Sequence, residues 1–157
     1  MTDGERYLTA RGRRRTRRVG AALAKALGKG PGVGLMLTSA LVRATQTAEV
    51  LAGSLGMEGG VEVLRPLAVS DVGAVLARVV GWRGPGVIAL VGHEPGLSEV
   101  AVQVLGAGVA WPGMVKSGAV MLGWEPGVGG RRGTGEFRWA IGPKTDGPVT
   151  RLDALWG

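Results

Sequence analysis

The 157-residue chain contains no cysteine and a single histidine, His93. The first absence removes disulfides, thiolate catalysis and thiolate metal sites, and the second leaves too few soft ligands for a zinc site. Aromatic residues make up only 4% of the chain. There is accordingly no interleaved aromatic platform for single-stranded nucleic acid and no glycine-rich RNA-binding signature, so nucleic acid is not an expected partner. No apolar run approaches about 18 residues, and Met1 is followed by polar and charged residues. Neither a membrane span nor a secretory h-region is legible, and the expected location is the cytoplasm.

What is present points to one folded domain over residues 1–157. The apolar fraction is 45%, and the 30 glycines mostly punctuate periodic apolar segments such as VGLMLTS and GPGVIALVG, as turns do. The formal charge of +7 fits nucleic acid, an anionic membrane surface or a small anionic substrate, and only the placement of the charge discriminates among them.

Residues 11–27, RGRRRTRRVGAALAKAL, place Val19, Leu23, Ala26 and Leu27 on one helical face, with the arginines opposite and at the helix start. VGLMLTS at 33–39 reads as a short buried strand. It runs into a helix carrying Leu41, Ala44, Ala48, Leu51, Ala52 and Leu55 as a stripe. Residues 61–64 form a strand candidate, Ser70 a cap for a helix bearing Val72, Val75, Leu76 and Val79, and VIALV a further strand. A helix over about 97–105 follows. AVMLGW and EFRWAI, joined by a Gly-rich stretch, read as an antiparallel pair. Alternating strands and helices with a terminal hairpin predict a three-layer α/β/α sandwich with a mixed central sheet.

Two strand-to-helix corners hold the polar groups of interest. Arg43 lies near the start of the helix after VGLMLTS, and His93 stands immediately after VIALV, in VGHEPG. Ligands of open α/β sheets collect at the carboxyl ends of strands, beside helix N-termini. A guanidinium fork beside an imidazole suits a phosphoryl group, because it pairs bidentately with the oxygens and stabilises charge that shifts during transfer. Thr38 and Ser39 offer hydroxyl donors or helix caps. Neither has an adjacent general base, so no serine nucleophile is assigned. Gln46 and Thr47 are placed to brace Arg43, and Glu94 and Glu99 read as surface carboxylates or hydrogen-bonding partners. The GxGxxG spacing of a dinucleotide site is missing.

Four stretches carry a family resemblance: DGERYLTARGRRRTRRVG at 3–20, LTSALVRATQTAEVLA at 37–52, VIALVGHEPGLSEV at 87–100, and the pair KSGAVMLGW and EFRWAIGPK. The chain resembles bacterial phosphohistidine phosphatases of the histidine phosphatase superfamily, which also contains the phosphoglycerate mutases. That resemblance implies a phosphoglycerate-mutase-like fold and a site of two histidines and two arginines. One histidine attacks phosphorus; the other histidine and the arginines hold the phosphoryl oxygens until water hydrolyses the intermediate. Arg43 matches an arginine of this set and His93 the second, non-nucleophilic histidine, with Ser39 a further substrate-binding candidate.

The family's nucleophile lies in an Arg-His-Gly or Arg-His-Ala motif directly after a first, central strand. This sequence has neither. The expectation is therefore a domain truncated at its amino end, weak or inactive as given, with unpaired backbone groups and an exposed apolar edge where that strand would lie. The alternative is a catalytically inactive protein that binds phosphate or a phosphoprotein. Without a long inserted lid, the expected partner is a phosphohistidine displayed on a protein or a small phosphorylated substrate. Phosphate or sulfate would fit the same site, and no cofactor, metal or membrane is called for.

Overall fold

The computed structural model describes residues 2–57, 59–131 and 133–155. Helix α1 spans Ala10–Leu27 and is opened by Thr9, whose side chain accepts from the Gly12 N–H. Strand β1, Val33–Thr38, leads into α2, Val42–Ser54. Strand β2, Val61–Val63, is followed by α3, Val72–Val80, then β3, Val87–Val91, and α4, Gly96–Leu105. Strands β4, Ala119–Glu125, and β5, Thr134–Ile141, form the antiparallel pair.

The three parallel strands run in the order β2-β1-β3. Side-chain alternation along β1 divides the core between its two faces. Leu35 and Leu37 point toward Val75 of α3 and Val100 and Val104 of α4, whereas Met36 meets Ala48 and Ala52 of α2. Helices thus cover both faces of a parallel sheet, as the alternating sequence pattern implies. Strands β4 and β5 pair in a ladder of their own. Leu122 and Trp124 of β4 pack on the α3/α4 side of the core. A close backbone approach joins the hairpin to α4: a Cβ on Gly135 would stand 2.1 Å from the Val104 carbonyl oxygen.

β1 has a strand on each side, so β2 and β3 are the outer strands of this sheet, and β3 is the all-apolar one. Its pairing with β1 carries a register shift between Val33 and Leu35. Gly34 fills the shift, where a Cβ would lie 2.1 Å from the Pro85 carbonyl oxygen. Ile88, Ala89 and Leu90 stay partly exposed, although an all-apolar run is the pattern of a strand covered on both faces.

Helices α1 and α2 lie side by side and start at the same end. Leu8, just before α1, donates its backbone N–H to Gln46 Oε1 one turn into α2, at 2.6 Å. Farther along, Gly20 abuts Ser54.

One predicted cap is corrected. Ser70 does not open α3; it sits at φ 54° in the turn, and Asp71 caps the helix by accepting from the Ala74 N–H at 3.1 Å. The carboxylate stands three residues before the N–H it bonds, the spacing that capping requires. No described helix is long and apolar enough to cross a membrane.

Candidate active site

The register of the parallel sheet assembles the site. Thr38, the last residue of β1, pairs with Val91, the last of β3. Ser39 prolongs the ladder by donating its backbone N–H to the Val91 carbonyl at 2.9 Å. The residues after both strands therefore emerge together at the carboxyl edge, and Ser39 Oγ lies 3.1 Å from His93 Nε2. Thr38 and Ser39 are both fully buried, and the imidazole is half-buried.

Every group of Ser39 is engaged. Its Oγ accepts from the Leu41 N–H at 3.3 Å, and its carbonyl accepts from Thr38 Oγ1 at 3.1 Å. The Leu41 N–H takes one lone pair, so the hydroxyl proton is available to Nε2 of a neutral imidazole. Which of the two atoms donates depends on the tautomer of the ring. No buried side-chain nitrogen or oxygen among the described residues is left unpartnered.

Arg43 occupies the first turn of α2, half-buried. The helix entry supplies no side-chain cap and no acidic residue in the first turn. Cationic guanidinium and helix N-terminus thus favour an anion at the same place. Thr47 braces Arg43 through the backbone, its Oγ1 donating to the Arg43 carbonyl at 2.8 Å. Gln46 does not reach Arg43 in this way; it ties the start of α1 to α2. Among the described residues, no three of His, Cys, Asp and Glu group as metal ligands. A cavity of about 500 Å³ lined by Leu27, Val33 and Met57 lies at the opposite end of β1.

No family model matches the chain. It superposes on the protein histidine phosphatase SixA, solved in complex with tungstate, over 90% of its own length and 87% of that chain, with a TM-score of 0.77 and 24% identity. The fold is that of the SixA phosphohistidine phosphatases. A SixA-type protein from Agrobacterium tumefaciens matches over 69% of this chain and 68% of its own, with a TM-score of 0.59 and 17% identity. An uncharacterized protein of Picosynechococcus sp. is 40% identical over 107 residues. That alignment spans 63% of this chain and 59% of the relative's own length.

Within this SixA-like fold the turn bearing His93 is tied from below. The His93 carbonyl accepts from the Leu97 N–H at 3.2 Å. Glu94 Oε1 accepts from the Ser98 N–H at 2.9 Å, and Glu94 Oε2 accepts from the Ser98 hydroxyl and, at 3.3 Å, from the Met114 N–H. Trp111 Nε1–H in turn donates to Ser98 Oγ at 2.8 Å. Glu94 thus caps α4 and pins the chain near residues 111–114 onto the His93 turn. Glutamate is outside the Ser, Thr, Asp and Asn set that marks a helix cap in sequence, so this role carries no local signal. The long-range partners Trp111 and Met114 carry none either.

Proposed function

We propose that this domain handles the phosphoryl group of a protein phosphohistidine in the cytoplasm, as a phosphohistidine phosphatase-like hydrolase. In this reading Arg43 clamps the phosphoryl oxygens, and His93 stands beside them as the non-nucleophilic histidine, oriented by Ser39. The observation that carries it is the convergence of the uncapped, cationic start of α2 and the Ser39-held imidazole at one edge of a SixA-like sheet. The tungstate bound by SixA is a tetrahedral oxyanion of the phosphate type, which agrees with a phosphoryl site.

Hydrolysis by the superfamily's route needs a second imidazole. It forms a bond to phosphorus as the substrate P–N bond breaks, the departing imidazole takes a proton, and water then releases phosphate. His93 is the sole histidine of these 157 residues. The second imidazole that this route requires is therefore not among these residues. The same observation favours a second reading, a noncatalytic phosphate- or phosphoprotein-binding protein.

Tungstate binding and phosphate release from a phosphohistidine protein separate these readings when measured on the 157-residue chain and on a form extended at its amino end. The phosphatase reading expects both forms to bind tungstate and only the extended form to release phosphate. Binding by both without release by either selects the noncatalytic reading. Turnover by the shorter form, lost in His93→Ala, makes His93 the nucleophile and overturns its assigned role. Failure of both forms to bind tungstate removes the site.

A further inference from the structure

We infer that the arginine-rich first half of α1 is a docking surface for an acidic, helical segment of a partner protein, beside the phosphoryl site. The inference rests on the proposed function in taking that partner to be the phosphoprotein substrate.

Arg11, Arg13, Arg14, Arg15, Arg17 and Arg18 all belong to α1, which contains no acidic residue. Arg11, Arg14, Arg17 and Arg18 are exposed. Among the described residues none of the six forms an ion pair; the acidic partners there belong to Arg78, Arg138 and Arg151. This arrangement opposes helix stability. Cations in the first turns face the positive end of the macrodipole. Pairs such as Arg11 with Arg14 and Arg15, and Arg14 with Arg18, set like charges at the spacing where they repel. A concentration of charge that works against its own helix has its compensation outside the chain.

Placement selects the partner. The first half of α1 lies at the end of the molecule where α2 begins, because Leu8 bonds Gln46 and α1 runs alongside α2 from there. Arg43 and Ser39 are at that same end. The apolar side of α1 is already covered, with Val19 5% and Thr16 6% exposed, so the helix has no free apolar face to insert into a membrane. Tyr7 is the sole aromatic before residue 82, which provides no run of rings for successive bases. What remains is a cationic strip of arginines at positions 11, 14 and 18, roughly 10 Å long at the helical rise. Carboxylates three and four residues apart on a facing helix have the same spacing.

The test uses a labelled helical peptide with glutamates at matching spacing, a glutamine version of it, and a single-stranded DNA 20-mer, each titrated against the chain at several salt concentrations. The comparison protein carries Arg11→Gln, Arg14→Gln and Arg18→Gln together. The expected result is salt-sensitive binding of the glutamate peptide alone, with its association rate reduced about tenfold in the triple variant. Tungstate affinity stays within about twofold and the melting temperature is equal or higher, since removing three like charges relieves repulsion. Equal peptide binding by both proteins, tighter binding of the DNA than of the peptide, or a lowered melting temperature overturns the docking surface. Loss of tungstate binding in the unmodified chain with peptide docking intact defeats the phosphoryl-site reading and leaves the surface standing.

Discussion

The starts of α2 and α4 sit at the same edge of the sheet and are prepared in opposite ways. At α2 the entry has no side-chain cap, no acid in its first turn, and Arg43 as its second residue. At α4 the entry is filled: Glu94 accepts from the Ser98 N–H, and Glu99 adds a second carboxylate in the first turn. Both helix ends attract negative charge by the same physics. One of them is met by the chain's own carboxylates, and the proposed function places the phosphoryl group at the other. The difference also divides the labour between the corners: α2 offers charge, while the tied turn before α4 holds an imidazole in place.

Arg43→Ala tests the open corner and has the largest expected effect. Charge-assisted hydrogen bonds contribute about 2 kcal/mol, so tungstate affinity measured by calorimetry falls roughly thirtyfold. Arg43→Lys recovers only part of the loss, because an ammonium lacks the fork that matches two oxygens. An unchanged affinity would mean that the anion does not enter at α2.

Glu94 tests the closed corner. Glu94→Ala removes three hydrogen bonds from an exposed carboxylate and should lower unfolding free energy by about 1.5 kcal/mol in a denaturant titration. Glu94→Gln keeps much of the bonding but removes the charge. It should tighten tungstate binding about threefold, since a negative group at that helix end no longer opposes the anion. If Glu94→Gln weakens binding instead, the carboxylate serves the site and the contrast between the corners fails.

What was legible in the sequence follows from how local each signal is. Periodicity places α1, α2, α3, α4 and the strands within a few residues, because 3.6-residue and continuous apolar patterns are written in consecutive side chains. The two corners were found for the same reason, since each follows a strand directly. The α3 cap was misplaced by one residue: Ser70 and Asp71 are both good caps, and only the backbone, with Ser70 at φ 54°, decides between them. Asp71→Ala should accordingly cost about 1 kcal/mol, with Ser70→Ala read against it in the same denaturant assay. The bond between Ser39 and His93 was not legible, although both residues were candidates. It depends on the β1–β3 register, which joins positions 54 residues apart.

That bond gives the sharpest test of how the two corners communicate. Ser39→Ala removes two contacts, the acceptor for the Leu41 N–H and the partner of His93 Nε2. Its raw destabilisation therefore says little about the imidazole. In a cycle with His93→Ala, the Leu41 contact is lost from both Ser39→Ala backgrounds and cancels. What survives is the coupling across the 3.1 Å contact, expected at about 1 kcal/mol in unfolding free energy. A coupling of that size means that the buried hydroxyl of one corner orients the ring of the other. A coupling near zero would confine Ser39 to shaping its own turn and leave the orientation of His93 to the Glu94-capped turn.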